Sequence, residues 1–149
     1  MPHLRLEAPE EWLEEEFIRK TGVDARKLLE HLVDVVTSIR MPREGEPEGV
    51  PLINRKNLKH ALVPLRHTGV AGDLSKGFLH LRFSAGNDTP GRTAEVRRGA
   101  AEALGDAIDA FVGDKLPGLA SVTVHVLDID RDRGYSTAAE RRKRREATP

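Results

Sequence analysis

The chain has 149 residues, 38% of them hydrophobic and 32% charged, which fits one compact domain around one core better than two. It has no cysteine, which excludes disulfides, thiolate zinc sites and a cysteine nucleophile, and no run approaches the roughly 18 to 20 apolar residues of a membrane span. The 24 basic and 24 acidic residues cancel, and six acidic groups occupy residues 1–20, so neither a duplex-coating protein nor a basic, apolar signal peptide is indicated, and a cytoplasmic location is expected.

Leu4 and Leu6 alternate with His3, Arg5 and Glu7, the period of a strand that starts almost at the amino terminus. Pro9 suits a first helical turn. Glu10 to Lys20 then spaces Trp12, Leu13, Phe17 and Ile18 about one turn apart, a short amphipathic helix stopped by Gly22. Asp24 can cap a longer helix in which Leu28, Leu29, Leu32, Val35, Val36 and Ile39 follow helical spacing, ending before Pro42. Residues 41–56, with three prolines and two glycines, read as a loop.

Leu58 to Leu65 is mostly apolar and reads as a strand, with Pro64 pointing to an edge position. A turn at Gly69 to Gly77 leads into Phe78 to Phe83, where Leu79, Leu81 and Phe83 alternate with His80 and Arg82. From Thr93 to Val112, the residues Val96, Ala100, Ala103, Leu104, Ala107, Ile108 and Phe111 trace one helical stripe, with Gly113 where a carboxy-terminal cap belongs. Ser121 to Ile129 alternates Val122, Val124 and Val126 with Thr123 and His125, giving a last strand. Residues 131–149 carry seven basic and three acidic groups, a net +4. With only Tyr135 and three alanines to bury beyond Arg133, this tail is expected to be flexible and the folded domain to span residues 1–130. Arg141 to Arg145 has no interleaved aromatic residue, so it reads as solvated chain rather than as a nucleic-acid arm.

Strand, helix, strand is thus followed by strand, helix, strand, and His3-Leu4-Arg5-Leu6 recurs as His80-Leu81-Arg82-Phe83. Two βαβ halves with right-handed crossovers place both long helices on one face of a four-stranded mixed sheet. The other face is left to His3, Arg5, His80, Arg82, Thr123 and His125. Such a face is either exposed to water, as in ferredoxin-like folds, or buried against copies of itself.

Pro2 is the most informative single residue. A small residue behind an initiator methionine permits methionine removal, which leaves a secondary amine at the start of a strand. An α-amino group titrates at about 7.7 to 8.0, and burial or a neighbouring guanidinium lowers that value, so the amine can accept a proton at neutral pH. The ordinary alternative is an unremarkable processed terminus.

Together, Pro2-His3 opening a strand, the two βαβ halves, and Phe78-Leu79-His80-Leu81-Arg82-Phe83-Ser84-Ala85-Gly86 followed by Gly91-Arg92-Thr93 and a helix resemble the tautomerase superfamily. Within it the chain is similar to the 5-carboxymethyl-2-hydroxymuconate isomerases of aromatic-compound catabolism, over most of residues 2–8 and 57–130. The resemblance implies a cofactor-independent isomerase, a homotrimer whose sheets enclose a central core, and a small anionic carboxylate substrate. Pro2 would shuttle the proton and Arg92 would match the arginine of the Gly-Arg-Ser helix start. Beside a helix amino terminus that guanidinium adds a carboxylate clamp to a position already favourable to anions; otherwise Arg92 is a solvated first-turn residue.

The family's second arginine has no counterpart in an ungapped match. Lys59 or His60 falls near its position, so a different or smaller acid is expected, because lysine binds carboxylate without arginine's fork geometry. A catalytically silent trimer of the same fold is the alternative function. The histidines at 3, 31, 60, 67, 80 and 125 contain no close metal-binding pair, and Gly86, Gly91 and Gly99 lack the ending of a phosphate loop, so neither a metal nor a nucleotide cofactor is expected.

Overall fold

The computed structural model describes residues 2–66, 77–86, 91–116 and 119–129. Most of the turn expected at Gly69 to Gly77 and the tail expected beyond residue 130 lie outside them. The chain begins with β1 (His3–Pro9), makes a 3-10 turn (Glu10–Leu13), and continues through α1 (Glu15–Thr21) and α2 (Ala25–Ser38). A hairpin of β2 (Arg40–Arg43) and β3 (Glu46–Pro51) follows, then β4 (Lys59–Leu65), β5 (Gly77–Gly86), α3 (Ala94–Val112) and β6 (Leu119–Ile129).

The sheet has the order β4-β1-β5-β6. β1 runs parallel to β4 and antiparallel to β5, and β5 runs parallel to β6. β4 is therefore an edge strand, as Pro64 required, because a proline nitrogen cannot donate to a ladder. The repeated sequence pairs with itself. His3 lies opposite Ser84, Leu4 opposite Phe83, Arg5 opposite Arg82 and Leu6 opposite Leu81, so the pseudo-twofold relating the two halves passes between Arg5 and its own repeat equivalent, Arg82.

Alternation along the strands sorts the two faces. Leu4, Leu6, Leu79, Leu81 and Phe83 are at most 1% exposed and pack beneath Leu28, Leu32 and Val36 of α2 and Ala100, Leu104 and Ile108 of α3. Both long helices thus cover one face, as expected. Each is started by a side-chain cap: Asp24 Oδ1 accepts from the Arg26 backbone N–H at 2.9 Å, and Thr93 Oγ1 from that of Val96 at 3.3 Å.

Two expectations are corrected. Glu10 to Lys20 is not one helix, because Glu14 is extended (φ −83°, ψ 134°) and separates the 3-10 turn from α1. The break lets Trp12 reach the core at 2% exposure while stacking on Phe17 at 6.4 Å, and α1 itself buries no residue fully. Residues 41–56 are not a loop. Their glycines make a hairpin possible: Gly45 (φ 80°) takes the turn between Arg43 and Glu46, and Gly49 (φ 68°) sits where a Cβ would lie 2.6 Å from the Met41 carbonyl oxygen. Its prolines are tolerated because each strand of a two-stranded ribbon has an unpaired edge. The base is closed by the Leu52 N–H donating to the Ile39 carbonyl at 2.8 Å.

Candidate functional site

β1 begins where β5 ends, so the register collects the expected functional residues at one end of the sheet. The Pro2 carbonyl accepts the Lys59 backbone N–H at 3.0 Å. Continuing the ladders one residue back from His3 sets Pro2, which is half-buried, between Leu58 and Ala85 on the helix side of the sheet.

Lys59 and His60 are adjacent in sequence but fall on opposite faces. Lys59 pairs with His3 on the open face, whereas His60 pairs with Leu4 on the helix face, the side that Pro2 shares. Both side chains are exposed. Arg92 comes to the same end of the sheet by another route. It precedes the Thr93 cap instead of lying in the first helical turn, and it is half-buried instead of solvated. Its Nη1 donates to the carbonyl of Gly86 at the end of β5, and its Nη2 donates to that of Leu52 at 3.3 Å. Gly91 (φ 87°) brings the backbone so close to the hairpin that a Cβ would lie 2.7 Å from the Pro42 carbonyl oxygen. Arg92 therefore ties β5 to the hairpin base as well as bringing a cation to this rim. Nothing in the helical pattern of Thr93 to Val112 disclosed that tether, because the hairpin carrying its acceptor read as loop.

The open face carries the polar set expected of it and adds Glu7. Glu7 Oε1 meets Arg5 Nε at 2.9 Å and Oε2 meets His80 Nδ1 at 3.3 Å, while His80 Nε2 lies 3.3 Å from His125 Nδ1. A carboxylate can only accept, so Nδ1 of His80 donates to Glu7, and a neutral His80 then accepts from His125. Desolvation lowers the proton affinity of the His3 imidazole, and the positive charges of the amino terminus and Lys59 lower it further.

A cleft of about 380 Å³ opens here, lined by His3, Arg5, Lys59, His60, Arg82 and Ser84 among others, whereas Pro2 and Arg92 are outside its lining. A larger cleft of about 460 Å³ lies at the opposite end of the sheet, between Pro9, Trp12, Phe17 and Leu119, away from the candidate site residues Pro2, Lys59, His60 and Arg92. Among the described residues no three His, Asp or Glu side chains form a metal-ligand set, and no helix is long and apolar enough to cross a membrane.

No family model matches the chain, and no curated protein matches it. Solved structures do. The structure is similar to a crystal structure of 5-carboxymethyl-2-hydroxymuconate delta-isomerase, with a TM-score of 0.66 and 19% identity over 92% of this chain and 87% of that one. It is similar to a fused 4-OT symmetric trimer, with a TM-score of 0.55 and 19% identity over 91% of each chain. A macrophage migration inhibitory factor-like protein from Entamoeba histolytica matches with a TM-score of 0.53 and 11% identity over 91% of this chain and 95% of that one. These structural neighbours are members of the tautomerase superfamily, and the fold of this chain is theirs, a four-stranded mixed sheet with its long helices on one face.

Proposed function

We propose that the protein is a cofactor-independent isomerase that moves a proton within a 2-hydroxymuconate-like dienol or 2-oxo acid, with Pro2 as general acid and base. The observation that carries this reading is the position of Pro2: half-buried, at the start of a central strand, at the sheet end where the only cations of the sequence-predicted site also converge. Removal of Met1 exposes a secondary amine there. Neutral, it takes the 2-hydroxyl proton of the dienol, or the proton on the carbon between the 2-oxo group and the double bond of its unconjugated keto tautomer, and returns a proton to the distant carbon as the conjugated 2-oxo acid forms, so one residue serves both steps and no redox or group transfer is required.

The charge around it suits a small carboxylate substrate. His60, on the Pro2 side of the sheet, polarises the 2-oxo group where negative charge develops, Lys59 adds positive field from the other face, and Arg92 attracts a carboxylate. In this reading three subunits assemble with their open sheet faces inward, which covers the His and Arg set. A second reading, a catalytically silent trimer, is favoured by the Arg92 guanidinium being engaged with two backbone carbonyls.

The test is an assay against dienol diacids alongside intact-mass measurement. A chain beginning at Pro2 and a Pro2→Ala variant slowed about 100-fold or more are expected, the range of general acid-base catalysis. A retained Met1, or no turnover by the wild type, moves the assignment to the silent trimer, whereas full turnover in Pro2→Ala refutes Pro2 as the general acid and base.

A further inference from the structure

The open sheet face holds an arginine pair that proton transfer at Pro2 does not use. Arg5 and Arg82 are direct partners across the antiparallel β1-β5 pair, where like charges destabilise a sheet. Only one of them is compensated: Arg5 has Glu7 at 2.9 Å, whereas Arg82 makes no ion pair among the described residues. One row along, Lys59 is the partner of His3 and His3 the partner of Ser84. All five side chains line the same cleft of about 380 Å³, and among the described residues no carboxylate lines it. Desolvation first, and then the positive charges of the amino terminus and Lys59, lower the proton affinity of His3 at the edge of this cleft.

We propose that this cleft is a binding site for a multiply charged oxyanion, held by the guanidiniums of Arg82 and Arg5, with the Lys59 ammonium and the Ser84 hydroxyl completing the set. Two guanidiniums from directly paired residues line the cleft, one of them also paired through its Nε with Glu7, which suits a tetrahedral or dicarboxylate anion with at least two acceptor oxygens. A monovalent halide satisfies neither the geometry nor the charge. Its arginines lie on the sheet face opposite Pro2, the face that the proposed trimer turns inward, so in that trimer the anion is enclosed between subunits, while Lys59 and the cleft-lining His60 are shared with the proposed isomerase site.

Inorganic phosphate is the probe, titrated calorimetrically into the full-length protein at neutral pH and constant ionic strength set with chloride. Saturable one-site binding is expected, weakened about tenfold or more in Arg82→Gln, partly restored in Arg82→Lys, and unchanged in Pro2→Ala. Circular dichroism identifies a misfolded Arg82→Gln, in which case Arg5→Gln supplies the same comparison. Absence of saturable heat in the wild type, unaltered affinity in both arginine variants, or loss of binding in Pro2→Ala overturns the proposal, the last by moving the anion to the proton-transfer centre.

Discussion

Asp24 shows how one buried side chain links the helix pattern to acid sensitivity. Burial alone would raise the proton affinity of its carboxyl, but the Arg26 backbone N–H and the Arg26 guanidinium outweigh this and hold it below the usual carboxylate range. A carboxylate depressed in the folded state contributes stability that is complete above its unfolded value, about pH 4, and is lost as pH falls through the lower folded one. Asp24→Ala is expected to cost about 1 kcal/mol at pH 7 in urea unfolding, and the deficit should shrink in the same measurement as pH falls below the unfolded value of about 4. Gly49 and Gly45 form a matched pair. Both have positive φ, but an added Cβ meets Met41 only at Gly49, so Gly49→Ala should destabilise by about 1 to 3 kcal/mol and by more than Gly45→Ala. For Arg92, the tether and the proposed carboxylate contact are separable. Loss of the tether lowers the thermal midpoint, whereas loss of substrate binding raises KM. Arg92→Ala is expected to do both, and an unchanged KM toward a turned-over diacid would leave the tether as its only role.

At the scale of elements, legibility followed the strength of periodicity. α3 reads from Thr93 to Val112 and is observed from Ala94 with Thr93 as its cap, because its stripe and its capping residues agree. Leu104, fully buried at the centre of that stripe, should cost about 2 to 5 kcal/mol when changed to Ala, measured by chemical denaturation. The β2-β3 hairpin was illegible because proline and glycine ordinarily punctuate chains, and the same residues suit a two-stranded ribbon with free edges. The site was half legible. Strand order alone brings Pro2 beside the start of β4, which carries the candidates Lys59 and His60, but only the pairing register separates Lys59 from His60. Arg5 and Arg82 appeared in the sequence as face residues. Their meeting depends on which residue of the repeat falls on the pseudo-twofold, and the motif alone does not specify that.

For the whole molecule, the decisive quantity is assembly. The proposed trimer, with three sheets closed around His3, Arg5, Arg82 and His125, should scatter light with three times the 16.5 kDa of the chain at micromolar concentration, and a single-subunit mass would overturn it. The strand order also bears on how the molecule is made. β1 leaves the ribosome first yet occupies a central position, between β4 and β5. When residues 3–65 have emerged, β1 can pair with β4, but its other edge has no partner until Gly77–Gly86 is synthesised. During that interval the nascent half exposes a row of backbone donors and acceptors beside Leu4 and Leu6, a template for another nascent chain as much as for its own second half. Because β5 repeats β1 in sequence, the competing β1 of a neighbouring chain offers a similar alternation of leucine with charge. The protein's vulnerability to misassembly is therefore concentrated in translation, and slowing synthesis between residues 65 and 86 should increase aggregation of newly made chains without altering the stability of those already folded.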